Sequence, residues 1–365
     1  MTRRQPSSIL TLLILVIPLV SGCITSSDTD VSDTPETRVI VDMNGREVTL
    51  PESIERFALF GGPVGQVAYI LGIQDALCAC SKGHQKSVIL AAMDPHIQEI
   101  PAPRSTNGVI NIEALLIANP QVVFAGDVDG RIVEKNTSLP VVYFMTDSDG
   151  TFDAMREEVR FFGEVFGKQE EAEEYCAYLD SILALIEQRT GDIPYDERPR
   201  VFNGYEDAHL VTYGGDTFMT ERIEAAGCVN AAYDISTLGQ KEGLHEGLDQ
   251  VSMEQLLSWN PDILVINMGL PEDIYADNRW ATVSAVQTSS VYRQPMGVFI
   301  WNRPSAESAV LYTLWLATLA YPERFEDIDM GEEIYRFYHE IFDYDLSDEQ
   351  IAMMLSGDCQ VGTVC

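Results

Sequence analysis

The chain has 365 residues, enough for two domains of ordinary size, and its 46% hydrophobic and 9% aromatic content is that of a globular protein rather than a disordered one. With 57 acidic against 23 basic residues the net charge is −34, which excludes nucleic acid as a partner and disfavours docking on an anionic membrane surface. Such an excess most simply keeps a solvated surface soluble by mutual repulsion, as in a salty medium.

The N-terminus reads as a targeting segment. Arg3 and Arg4 precede an apolar run from Ile9 to Val20, too short to span a bilayer as a helix, and the run ends in Val20-Ser21-Gly22-Cys23. Small residues directly before a cysteine look like a lipobox. Residues 1–22 are therefore expected to be a lipoprotein signal peptide, with Cys23 lipidated. Residues 23–37, rich in Ser, Thr and Asp, suit a flexible tether. The protein is then expected to be exported and lipid-anchored to the outer face of the cytoplasmic membrane, the alternative being an ordinary cleaved secretory signal.

Residues 38–150 read as an N-terminal α/β lobe. Asn44-Gly45 lies between two strand-like runs, a strong hairpin signal. A strand at Arg56 to Phe60 breaks at Gly61-Gly62-Pro63 before a helix from Val64 to Leu71. Strands follow at Ala76–Cys80, 121–125 and Val141–Phe144, with a helix at 112–118. Strands alternating with helices indicate a parallel sheet. Residues 151–190 change character: apolar residues fall at helical spacing from Phe152 to Ile186. The segment Lys168 to Arg189 would form a linking helix about 33 Å long. Residues 191–356 resume the α/β pattern, with strands at Val201–Tyr205, His209–Thr212 and Gly297–Trp301 and an apolar helix from Ala306 to Ala320. Two terminal helices follow at 331–342 and 347–355, and residues 357–365 form a tail. Of the six remaining cysteines, Cys176 and Cys228 read as small core residues, and Cys359 and Cys365 could close a loop. Cys78-Ala79-Cys80 lacks metal-site spacing.

Two stretches share one pattern. Asn111-Ile112-Glu113-Ala114-Leu115-Leu116 runs to Asn119-Pro120 and a buried strand, and Ser252-Met253-Glu254-Gln255-Leu256-Leu257 runs to Asn260-Pro261 and another. Each has a polar cap, a glutamate in the first turn, a short apolar helix and an Asn-Pro stop. With the lipobox, Phe57-Ala58-Leu59-Phe60-Gly61-Gly62, Gly214-Gly215-Asp216-Thr217-Phe218 and Gly227-Cys228-Val229-Asn230, this order resembles the helix-backbone (class III) substrate-binding lipoproteins of ABC importers. These are the iron-siderophore, haem and cobalamin binding proteins. The resemblance covers roughly residues 38 to 345. It implies two Rossmann-like α/β lobes joined by a single long helix, a ligand cleft between them, and no cofactor. It further implies a cargo of ferric siderophore, haem or corrinoid, and an ABC permease dimer with its ATPase as partner to a monomeric binding protein.

By the same resemblance Glu113 and Glu254 dock into permease arginines. Each sits beside the unpaired N–H groups of a helix start, which favours an exposed anion able to pair with arginine. The alternative is that each only complements its own helix dipole. The cleft would be lined by loops at strand carboxyl ends, giving Gly62, Asp127, Tyr205, Tyr213, Trp301 and Arg303 as ligand-binding candidates, each also readable as packing or surface. Arg303 beside Trp301 suits a planar or anionic chelate. The five histidines are scattered, and His209 with Asp207 or Glu206 is the one metal group to test, so a resident metal is not expected. No G-x-S-x-G, H-E-x-x-H or phosphate-loop motif occurs, so catalysis is not expected. Two further readings are a surface receptor of the same fold and a direct metal-ion binder.

Overall fold

The computed structural model describes residues 36–61, 63–144, 150–206, 208–239 and 247–358. Strands β1 (Thr37–Val41) and β2 (Glu47–Pro51) form an antiparallel hairpin. Gly45 takes the left-handed conformation (φ 75°) that the turn needs. The Asp42 carboxylate closes it by accepting from the Asn44 and Arg46 amides at 3.0 and 2.9 Å.

Strands β3 (Phe57–Phe60), β4 (Leu77–Cys80), β5 (Val122–Ala125) and β6 (Val141–Tyr143) make a parallel sheet in the order β4-β3-β5-β6. In the second lobe lie β7 (Arg200–Gly204), β8 (Val211–Tyr213), β9 (Val229–Asn230), β10 (Leu248–Gln250), β11 (Ile263–Ile266) and β12 (Val291–Arg293). Four of these form a parallel sheet, β12-β11-β7-β9, and β8 pairs with β10 antiparallel. The two parallel sheets have the same winding. In each, the lobe's first parallel strand lies between the second and the third, so the chain reverses direction across the sheet at β3/β5 and at β7/β11. Ligands of open α/β sheets bind at the carboxyl ends of strands at that reversal.

The helix Ile112–Ala118 feeds β5 and the helix Met253–Trp259 feeds β11, the same position in both sheets. Asn111 caps the first by accepting from the Ala114 amide. Ser252 and Gln255 cap the second reciprocally, a device worth about 1 kcal/mol. Both end on an asparagine in the left-handed conformation, Asn119 (φ 52°) and Asn260 (φ 45°). Asparagine tolerates that geometry and the following proline cannot continue the helix, so the Asn-Pro pair is a physical stop.

Helix Phe152–Phe166 ends at Gly167 (φ 69°), and the linking helix runs from Gln169 to Thr190, 22 residues, or about 33 Å. It packs against Phe152–Phe166 and against Ala306–Ala320. The latter is buried around its whole circumference as far as Ala317, as an apolar helix without a polar face must be. One hydrophobic core threads both lobes and these helices. It takes Phe57, Leu59, Val122 and Phe124 from one sheet and Val201, Ile263 and Val265 from the other. The alternate residues face separate outer clusters, Ala58, Phe60 and Val123 in one lobe and Phe202, Leu264 and Ile266 in the other.

Three elements differ from expectation. The apolar run Gly297–Trp301 is not a strand; the strand is Val291–Arg293, and the run forms a turn closed by a bridge between Met296 and Ile300. Its amides are spent elsewhere: Gly297 donates to the Phe299 carbonyl and Val298 to Glu307. The helix after β3 is split into a 3₁₀ turn, Pro63–Gln66, and a short α turn, Val67–Ile70. Asp127, read as a loop residue, opens the ten-residue helix Asp127–Asn136. The terminal helices fall at Met330–Phe342 and Asp348–Ser356, the second closed by a capping box of Ser347 and Gln350.

Candidate ligand cleft and docking face

Tyr205 follows β7 directly, and an antiparallel bridge to Val211 holds it. Its ring meets Tyr213, the last residue of β8, edge to face at 5.2 Å, and Tyr213 meets Phe218 at 5.0 Å. Both tyrosines are buried, and among the described residues the Tyr205 hydroxyl has no hydrogen-bond partner. Burial drives its pKa well above the ordinary phenol value, while the charges of Arg303 and Arg222 oppose the rise. An unpaired buried hydroxyl costs about 1–3 kcal/mol.

Arg222, from the helix Phe218–Ala225, was not among the sequence candidates. It is fully buried and donates to Ser308 Oγ (3.1 Å) and the Gly150 carbonyl (3.2 Å). Its guanidinium lies 4.9 Å from the Phe218 ring centroid. Among the described residues it forms no ion pair and its Nε has no partner, and burial lowers its pKa to about 10 against the opposing charge of Glu221. The available signal was its spacing: Arg222 stands four residues after Phe218, on the buried face of its helix.

Arg303 is half-buried and also lacks an ion pair among the described residues. Its backbone carbonyl accepts from Ser308 Oγ at 2.6 Å, so Ser308 joins the segments carrying the two arginines. Trp301 is fully buried. Its indole lies near enough to Glu307 to favour the ionised carboxylate, though not in hydrogen-bond geometry. On the other lobe, Asp127 is half-buried at the end of β5, and its carboxylate accepts from Asn44 Nδ2 (2.7 Å) and Arg131 (3.2 Å). Gly62, Cys23, Asp207, Met145-Thr146-Asp147 and the pair Cys359 and Cys365 lie outside the described residues.

Glu113 and Glu254 are both exposed in the first turn of their helices, without ion pairs among the described residues. One turn on, Leu116 (50% exposed) and Ile117 (75%) share the face of Glu113, and Leu257 (38%) shares that of Glu254. Gly214-Gly215 is a packing turn rather than a phosphate cradle. A Cβ on either glycine would meet the Ile235 or Tyr233 carbonyl, and Asp216 caps the facing loop by accepting from the Thr237 amide.

His84 is buried, with Nδ1 2.8 Å from Ser81 Oγ, and burial lowers its pKa to about 4. No group of three or more His, Cys, Asp or Glu able to hold a metal occurs among the described residues. Cys78, Cys80, Cys176 and Cys228 are buried free thiols. Among the described residues no helix is long and apolar enough to cross a membrane.

The sequence pattern of the periplasmic binding protein family matches residues 64–296, well over half of the chain. The chain belongs to that family. Within it, the helix-backbone class of ABC-importer substrate-binding proteins is the one whose fold the binding protein shares. It is similar to a periplasmic solute binding protein from Veillonella parvula, with a TM-score of 0.73 and 24% identity, covering 89% of this chain and 98% of that one. A molybdate-binding protein of Haemophilus influenzae is 27% identical over 333 residues, 84% of this chain and 91% of the relative. A cobalamin-binding protein of Halobacterium salinarum is 27% identical over 261 residues, 69% of this chain and 63% of the relative. The binding protein is therefore an extracytoplasmic cargo carrier of an ABC importer, whose ligand is a transported substrate rather than a cofactor.

Proposed function

We propose that this binding protein, lipid-anchored through Cys23, captures an anionic, metal-centred ligand between its lobes and delivers it to an ABC permease dimer and ATPase through Glu113 and Glu254. One observation carries the choice of ligand charge. In a chain of net charge −34, Arg222 and Arg303 form no ion pair among the described residues and act on the hydroxyl of Tyr205, which has no hydrogen-bond partner there. Arginine left unpaired amid such acidity is a donor set awaiting an anion. Trp301, from the loop 297–301, and Tyr213, at the end of β8, supply apolar and aromatic surface, and Gly62 and Asp127 contribute the facing lobe.

Two kinds of cargo share this chemistry: a bare oxyanion, such as the molybdate bound by one relative, and a metal chelate that presents anionic groups, such as a ferric siderophore, haem through its propionates or a corrinoid through its phosphodiester, the last in keeping with the cobalamin-binding relative. Tryptophan quenching of the purified protein with molybdate, haem, cyanocobalamin and a ferric siderophore separates them. Saturable binding by at least one is expected, and binding only of cations would overturn the reading. Cys23→Ser should move the protein out of the membrane fraction; retention there would contradict lipid anchoring.

A further inference from the structure

Glu307 is the one charged residue in the apolar helix Ala306–Ala320, and it is fully buried. Its Oε2 accepts from Gln66 Nε2 at 3.0 Å and from the Val298 amide at 3.1 Å, and its Oε1 accepts from the Tyr338 hydroxyl at 2.6 Å. Gln66 completes a reciprocal pair, its Oε1 accepting from the Glu307 amide at 2.9 Å. Four segments thus converge on one carboxyl group: the turn after β3, the loop 297–301, the helix Ala306–Ala320 and the terminal helix Met330–Phe342. Gly297 makes the convergence possible, since a Cβ there would overlap the carboxylate. Phe299, in the same loop, packs edge to face on His84 of the first lobe at 5.6 Å.

We propose that Glu307 is a positioning residue for the ligand cleft. It ties the loop that delivers Trp301 and Arg303 to Gln66 of the opposite lobe, and the tie is firmer when Glu307 is protonated than when it is ionised. The role in ligand capture rests on the cargo reading given above; the tie itself does not.

The physical case is the absence of a compensating charge. Among the described residues no cation contacts Glu307. Tyr338 is the titratable side chain against it, and His84, behind Phe299, is held neutral. Burial raises the Glu307 pKa to about 7, against the pull of hydrogen bonds from Tyr338 and the loop amides. The Tyr338 hydroxyl can turn to accept a carboxyl proton, so the neutral form keeps its partners. The ionised form gains hydration when the tie opens. Opening therefore becomes easier as pH rises from the ordinary carboxyl range to about 7.

Hydrogen exchange of the full, ligand-free chain, corrected for intrinsic rates, tests this. Between pH 5.5 and 8.5, protection of peptides spanning residues 61–70 and 296–303 should fall by more than about tenfold. Glu307→Gln should stay flat, and Tyr338→Phe should move the fall to higher pH. A flat wild type, or a Gln variant that keeps the fall, would overturn the tie. Affinity for molybdate or cyanocobalamin should follow the same pH course in the wild type and not in Glu307→Gln. Exchange that moves while affinity does not would overturn the positioning role. Binding of neither probe would count against the cargo reading, with the exchange data still deciding the tie.

Discussion

At the carboxyl end of β7, Tyr205 and Tyr213 pack edge to face near two arginines that form no ion pair among the described residues, whereas at the carboxyl end of β5 a half-exposed Asp127 is held by Asn44 and Arg131. The two sheets have the same winding, so the contrast does not come from the fold. The N-terminal side follows the chain's overall acidity; the C-terminal side departs from it, with two arginines that form no ion pair among the described residues. Net charge describes the solvated surface, and a local departure from it is the better guide to a ligand.

The largest expected effect tests whether both lobes act together. Glu113→Ala with Glu254→Ala should abolish ligand uptake by cells while leaving affinity in solution unchanged; uptake at the wild-type rate would remove the docking role. The next tests the buried acid that joins the lobes. The folded-state pKa of Glu307 is raised to about 7, so its stabilising contribution is full below the unfolded carboxyl range and is lost as pH rises through 7. Thermal melts should show up to about 3 kcal/mol of stability lost across that window, and Glu307→Gln should remove that component. A wild-type curve no steeper than that of the variant would contradict it.

Arg303→Ala sharpens the contrast between walls. It should weaken an anionic ligand by about 1–3 kcal/mol in a calorimetric titration, and a loss below about 0.3 kcal/mol would put the side chain outside the pocket. Asp127→Asn should be the smallest, within about 0.5 kcal/mol, because its carboxylate is engaged locally and partly in water. A loss as large as that of Arg303→Ala would mean that the two walls share the ligand equally.

Repeating and punctuated features were legible from the residues. The Asn44-Gly45 hairpin, the paired Asn-Pro stops and the helix Ala306–Ala320 lie where spacing placed them, because caps, turns and period are local physics. The run Gly297–Trp301 misled because five apolar residues can be buried without pairing in a sheet. Arg222 and Glu307 were illegible for a related reason. Each reads as a polar point on a helix, and only the tertiary arrangement reveals that both are fully buried. The exposed glutamates Glu113 and Glu254 could be singled out because their helices carry the same signature twice.

The hydrophobic interior that passes unbroken from one sheet to the other through Gln169–Thr190 has a consequence for how an empty carrier differs from a full one. Swinging the halves wide apart would bring that shared oil into water, so loaded and unloaded molecules present nearly the same outline to the transporter. On that account cargo would be signalled by a small hinge closure and by stiffness rather than by a change of outline.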